Sequence, residues 1–284
     1  MLKKIFFAAA LLLASELIAK PVVIASIAPV EYLAKAVGGD KIEVQSLAKG
    51  DVHSFEPKPN DMKAVAKARI FIAAGLEFEE AWIPRFKASA KNLVVVQSDA
   101  KIAKLKEERG EQAEHDEKHE AHADPHVWLN PMLAITMARN ISDALIDMDK
   151  ANKDFYLENF QKLMNDLLAF DESAKNELAG LKNRKFVVYH PAWGYFAAHY
   201  DLEQISIERS GKEPKIDEMA STVKMIKDEN IKVIFADPNR SQKSAQILAS
   251  QTGAKVELLD PLGYNLLENL KIAVGAIKDA NSPK

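Results

Sequence analysis

From Tyr156 onward the chain carries Tyr156, Phe160, Leu163, Leu167, Phe170, Ala174, Leu178 and Leu181 at steps of three and four, with charged residues between them and no glycine or proline before Gly180. Only an α-helix gathers such a set onto one stripe, and a helix of about 30 residues is roughly 45 Å long. A rod of that length either connects two lobes or, on the plainer reading, lines the core of one domain. The flanking sequence favours the connector. On both sides β-branched runs alternate with helical patterns: Val22 to Ile27, Ile42 to Leu47, Ile70 to Ala74 and Leu93 to Gln97 before it, then Phe186 to Tyr189, Gln204 to Ile207, Val233 to Ala236 and Val256 to Leu259 after it. Alternation of this kind implies parallel sheets. The fold class is therefore α/β. Two lobes with parallel-type sheets flanked by helices, residues 20–150 and 183–284, are joined by one long rigid helix over 151–182. A stiff link of this kind limits hinge motion.

The first residues read as a secretory signal peptide over 1–19: a basic start at Lys3 and Lys4, an apolar run from Ile5 to Ala14, and a small residue, Ala19, before the expected cut. That apolar run is too short for a bilayer core of about 30 Å, and no later segment supplies the roughly 20 apolar residues of a membrane helix. The mature chain should thus be free of membrane insertion. Losing Lys3, Lys4 and Glu16 moves the formal net charge from -3 to -4. An acidic balance without a basic face makes nucleic acid an unsuitable partner. The chain has no cysteine, which excludes disulfides and a lipid-modified cysteine and places the protein free in a periplasm.

Residues 107–124 hold almost nothing apolar to bury and should form a solvated, disordered insert rich in acidic residues and histidine. His115, His119 and His122 lie close together there. They suit weak auxiliary metal capture, or simply a solvated charge run.

Four other residues with metal-ligand chemistry stand where an expected strand gives way to a loop or helix. His53 follows the second strand, before a helix capped near Asn60 and Asp61; His126 is braced by Pro125 and Pro131; His190 and Asp260 end apolar strands and precede Pro191 and Pro261. In open parallel sheets, ligands bind in the crevice beyond the carboxyl ends of the strands. The first lobe would supply two histidines, the second a histidine and an aspartate. Taken alone, Asp260 reads more readily as an ordinary helix or turn cap before Pro261-Leu262-Gly263, and it is the set of four that points to a ligand. Three imidazoles and one carboxylate suit Zn2+, because neutral nitrogen donors match this ion better than they match magnesium or calcium.

The segments Gly-x-x-His-x-Phe-Glu-Pro from Gly50, Asp-Pro-His-x-Trp-x-x-Pro from Asp124, Tyr-His-Pro-Ala-Trp-Gly-Tyr from Tyr189 and Leu-Asp-Pro-Leu-Gly from Leu259 resemble, in order, those of the periplasmic metal-binding components of ABC importers, in particular the ZnuA-like zinc-uptake group. The resemblance covers essentially the whole mature length. It implies a metal site in the interlobe cleft, with His53, His126, His190 and Asp260 on the ligand positions and zinc as the transported ligand. It also implies delivery by a monomer to a membrane permease, and no catalytic residue. Val52 stands where some relatives carry an acidic residue, and a cysteine pair found in the second lobe of some relatives is absent. Manganese-type relatives carry a glutamate where this chain has His190, and the exchange removes a hard oxygen donor that manganese prefers.

A four-ligand zinc has no open position for water, so it does not hydrolyse. The competing readings are a manganese or other divalent-metal carrier of the same type, a periplasmic zinc hydrolase with Asp260 or Glu56 as base, and an adhesin with a structural metal. No His-Glu-x-x-His run supports the hydrolase. Three imidazoles of ordinary pKa about 6.5 predict affinity falling between about pH 7.5 and 5.5. The loops bearing His126 and Asp260 are the expected movers on release.

Overall fold

Two four-stranded sheets, every strand pair parallel, carry the molecule, and each follows the same plan. The computed structural model describes residues 19–106, 123–208 and 216–281. Thus nearly all of the leader over 1–19 and of the insert over 107–124, including His115, His119 and His122, lies outside the described residues. In the first sheet β1 (Val22–Ala25) sits between β2 (Glu43–Ser46) and β3 (Ile70–Ala73), with β4 (Val94–Gln97) beyond β3. In the second, β5 (Lys185–Val188) sits between β6 (Glu203–Ser206) and β7 (Val233–Ala236), with β8 (Lys255–Leu258) at the edge. Helices on both faces bury the inner strands, so β3 and β7 are continuous apolar runs, whereas β2 alternates exposed and half-buried residues at an edge. Each sheet reverses its winding beside its first strand, which opens a crevice at the carboxyl ends.

The helices of the first lobe are α1 (Ala28–Gly38), α2 (Pro59–Val65), α3 (Glu77–Ser89) and α4 (Pro131–Met148). Helix α2 starts at Pro59 and its entry is held by Asp61, whose Oδ2 accepts from Lys58 N at 2.7 Å. The long helix is α5 (Lys153–Leu178), 26 residues, and its buried stripe is Tyr156, Phe160, Leu163, Leu167, Phe170, Ala174 and Leu178, with Asp171. Leu181 falls beyond the helix end and is only partly buried. Helix α5 packs on α1 and α4 from the first lobe and on the last helix from the second.

Beyond α5 come α6 (Gly194–His199), α7 (Ile216–Asp228), α8 (Lys243–Thr252) and α9 (Leu266–Asn281). Pro191, a residue type suited to a helix's first position, does not open one here. Instead Ala192 N donates to His190 O at 2.8 Å and the buried Trp193 N donates to Gln204 Oε1 at 2.7 Å, a tight bend that delays α6 until Gly194. Helix α9 doubles back onto α1 and α5, and its Leu266, Leu270, Ala273, Val274 and Ile277 join the apolar core that also contains Val30, Leu33 and Leu167. One core therefore runs through both lobes. A second cluster, around Val187, Ile234, Ile226 and Leu248, fills the other side of the second sheet.

Candidate metal centre

Three rings meet where the two sheets point their carboxyl ends at each other. The centroids of His53, His126 and His190 form a near-equilateral triangle with sides of 5.4, 5.1 and 5.3 Å. Each ring offers a nitrogen within 4.8 Å of the other two. In a tetrahedral zinc site with bonds of about 2.0–2.1 Å, ligand nitrogens are about 3.3 Å apart, so only a small inward turn separates this geometry from a coordinating one.

Carboxylates behind two of the rings choose which nitrogen faces inward. His126 Nδ1 donates to Asp124 Oδ1 at 2.7 Å, and the same oxygen takes the backbone N–H of His126 at 2.9 Å. His190 Nδ1 donates to Glu208 Oε2 at 2.8 Å. With Nδ1 carrying the proton, the lone pair of each ring is on Nε2, the arrangement a metal ligand needs. His53 presents its Nε2 as well: that atom is buried and has no hydrogen-bond partner among the described residues. A buried, unpaired acceptor costs free energy unless something electrophilic meets it. Burial first, then the positive charges His126, His190 and Arg240 would carry, push His53 down to about 3. Burial likewise lowers His190 against the opposing pull of Glu208. Both imidazoles are therefore neutral, the form that binds metal.

Local structure explains why these side chains are where they are. Val52 is buried under the turn after β2, leaving His53 on its inner side, and Asp51 ties that turn by accepting from Ser54 Oγ at 2.9 Å and His53 N at 3.3 Å. His126 precedes a single 3-10 turn, Val127–Leu129, which Asn130 hands on to α4 by accepting from Met132 N and Leu133 N. Its ring lies 5.2 Å from that of the fully buried Trp128, whose Nε1 donates to Pro261 O at 2.8 Å.

Asp260 is not in the group of mutually close donors among the described residues. Its Oδ1 accepts from Leu262 N at 2.9 Å and from Asn239 Nδ2 at 2.8 Å. The first of these bonds is the turn cap that Pro261 and Gly263 suggested. The cleft beside the histidines is lined instead by Asp237, Arg240, Asp51 and Leu262. Asp237 ends β7, is buried, and is raised by that burial while Asn239 bonds it at 2.7 and 3.0 Å. The cleft measures about 220 Å³ including its mouth. Organic ligands occupy pockets of roughly 300–1,000 Å³, so the space suits an ion better than a metabolite.

Glu208 and Arg240 carried no local sequence signal. The strand register contains one for Glu208: Val188 pairs with Ser206, so two residues on, His190 and Glu208 leave neighbouring strands side by side. Glu208 N donates to Tyr189 O at 2.8 Å, which prolongs that pairing. Asp124 stands in the Asp-Pro-His motif, and its place two residues before His126 is the backing role made visible.

The profile of the family described as ZnuA, zinc-uptake complex component A periplasmic, matches residues 23–280. The chain belongs to the ZnuA family. The high-affinity zinc uptake system protein ZnuA of Bacillus subtilis (strain 168) is 30% identical over 279 residues, covering 91% of this chain and 86% of that protein. A crystal structure of ZnuA superposes with a TM-score of 0.86 at 34% identity, covering 93% of this chain and 100% of that one. A zinc-bound deletion mutant of ZnuA superposes equally well, with 34% identity, 93% of this chain and 99% of that one covered. The family shares the architecture of two parallel sheets flanked by helices and joined by a long helix.

Proposed function

We propose that this chain is the zinc-binding component of a periplasmic zinc-uptake system, capturing Zn2+ between its lobes and handing it to the membrane permease of an ABC importer. The observation that carries this reading is the convergence of three imidazoles, two of them backed by carboxylates, on one point between the sheets. Three nitrogen donors favour zinc over manganese. In this reading His53, His126 and His190 bind through Nε2, and Asp260 supplies the fourth position by turning its carboxylate away from Asn239. A shell so completed leaves no site for an attacking water, which makes the protein a carrier rather than a hydrolase. The leader over residues 1–19 directs export and is removed, and the mature chain acts as a monomer. Relatives named for zinc uptake support the assignment.

The test is the metal content of the mature protein purified without added metal, together with zinc titrations of variants. One tight equivalent of zinc is expected, surviving deletion of residues 107–122. His190→Ala should weaken it by orders of magnitude, and Asp260→Ala by a smaller factor. Wild-type affinity in His190→Ala would sink the reading, whereas wild-type affinity in Asp260→Ala would give the fourth position to water. The insert histidines His115, His119 and His122 then account only for weaker zinc lost on that deletion.

A further inference from the structure

Polar contacts between the lobes gather around the three histidines, and they are of two kinds. Beside His126 they are buried. Trp128 Nε1 donates to Pro261 O at 2.8 Å; Tyr195 Oη donates to Asp124 O at 2.8 Å and accepts from Leu105 N at 2.8 Å. Trp128 is 0% exposed and Tyr195 3%. Beside His53 the contact is charged and partly wet: Arg240 Nη2 reaches Asp51 Oδ1 at 3.0 Å, and the Asp51 side chain is 39% exposed. The same guanidinium grips Glu208 with Nη1, at 2.8 Å to Oε1 and 2.9 Å to Oε2. The links thus run without a break from His190 through Glu208, Arg240 and Asp51 to the turn that carries His53.

We propose that Arg240 is a positioning residue for metal retention, clasping the His53 turn of the first lobe to the His190–Glu208 pair of the second and so setting how long a bound ion is kept. The inference rests on the zinc-binding reading above. Three features carry it. A planar fork is required to hold two carboxylates on different elements at once, which a lysine ammonium does not reproduce. The turn has open space beside it: Gly50 has φ +80°, and among the described residues beyond its chain neighbours no atom lies within 4 Å of where a Cβ would stand. And an ion pair open to water is cheaper to break than the buried bonds around Trp128 and Tyr195. The part of the site that opens is then the His53 turn, rather than the loops of His126 and Asp260 that the sequence favoured.

The sign of the effect separates this role from a plain charge effect. A guanidinium beside a dication repels it, so loss of the positive charge alone would tighten zinc binding. Loss of a clasp loosens it. Zinc release into excess chelator is followed by stopped flow for the full mature protein, for Arg240→Met, Arg240→Lys, Asp51→Asn and the Arg240→Met/Asp51→Asn pair, with metal-free melting as the check on folding. Outer partners of metal ligands are worth about 10–100-fold in affinity, and release faster by about that factor is expected in Arg240→Met and Asp51→Asn. The double variant should be no faster than the faster single one, and Arg240→Lys should fail to restore the rate. Release at or below the wild-type rate in Arg240→Met or Asp51→Asn overturns the clasp. Should Arg240→Met not fold, Arg240→Lys, which keeps the charge and loses the fork, decides alone: release at the wild-type rate there overturns the clasp. His190→Ala is measured alongside: tight zinc there would remove the zinc reading itself, whereas lost zinc there with unchanged Arg240 variants removes only the clasp.

Discussion

His53 shows how much a surrounding fold changes an ordinary side chain. Burial first, then the positive charges that His126, His190 and Arg240 would carry, lower it from 6.5 to about 3. In the unfolded chain it protonates near its ordinary value, so between about 6.5 and 3 the unfolded state holds a proton that the folded state refuses. Stability of the metal-free protein is then fully present above pH 6.5 and falls on acidification, with a slope of about 1.4 kcal/mol per pH unit from this residue. Denaturant midpoints of the metal-free protein at pH 7.5 and 5.5 should differ accordingly, and His53→Gln should reduce the difference; an equal pH dependence in the variant contradicts the assignment. The same shift moves proton competition at His53 well below the pH 7.5–5.5 window that free imidazoles suggest, and the lowered His190 acts in the same direction. Sequence alone singled out the three histidines that the fold brings together, because each stands at the end of an expected strand or beside a proline. It offered the turn cap of Asp260 but not the bond from Asn239, because that bond depends on β7 and β8 lying side by side.

At the scale of elements, the spacing of apolar residues was sufficient. All eight strands lie within a residue or two of the β-branched runs, and the stripe on α5 is the one that steps of three and four define. Period and composition report what an element buries, and here nothing tertiary contradicts them. The start of α6 escaped because it depends on Gln204, a residue on another strand, holding Trp193 in a bend. Leu167, fully buried in the middle of α5, gives the element's weight in the fold. Leu167→Ala should destabilise by about 2–5 kcal/mol, the usual range for a buried leucine. In urea, fluorescence and far-ultraviolet dichroism should shift together; separate transitions for the two lobes would show that α5 does not couple them.

For the whole molecule, the deciding fact is that the apolar interior does not stop at the lobe boundary. Lobes that share an interior do not close like jaws, so zinc exchange should proceed by local movement at the cleft. Two lobes and a stiff connector were readable from the order of patterns along the chain. The return of α9 onto α1 was not, since an amphipathic helix carries no label for the surface it will cover. Deleting 266–281 should therefore damage more than the second lobe: the first lobe's amides would lose exchange protection too, and protection retained there would contradict a common interior. Because the sixteen residues of α9 complete packing begun at Val30 and Leu33, a chain emerging from its first residue onward has no finished interior until its tail follows. The protein is in this sense sealed from its last helix, and a cut that frees the tail would unseal both lobes at once.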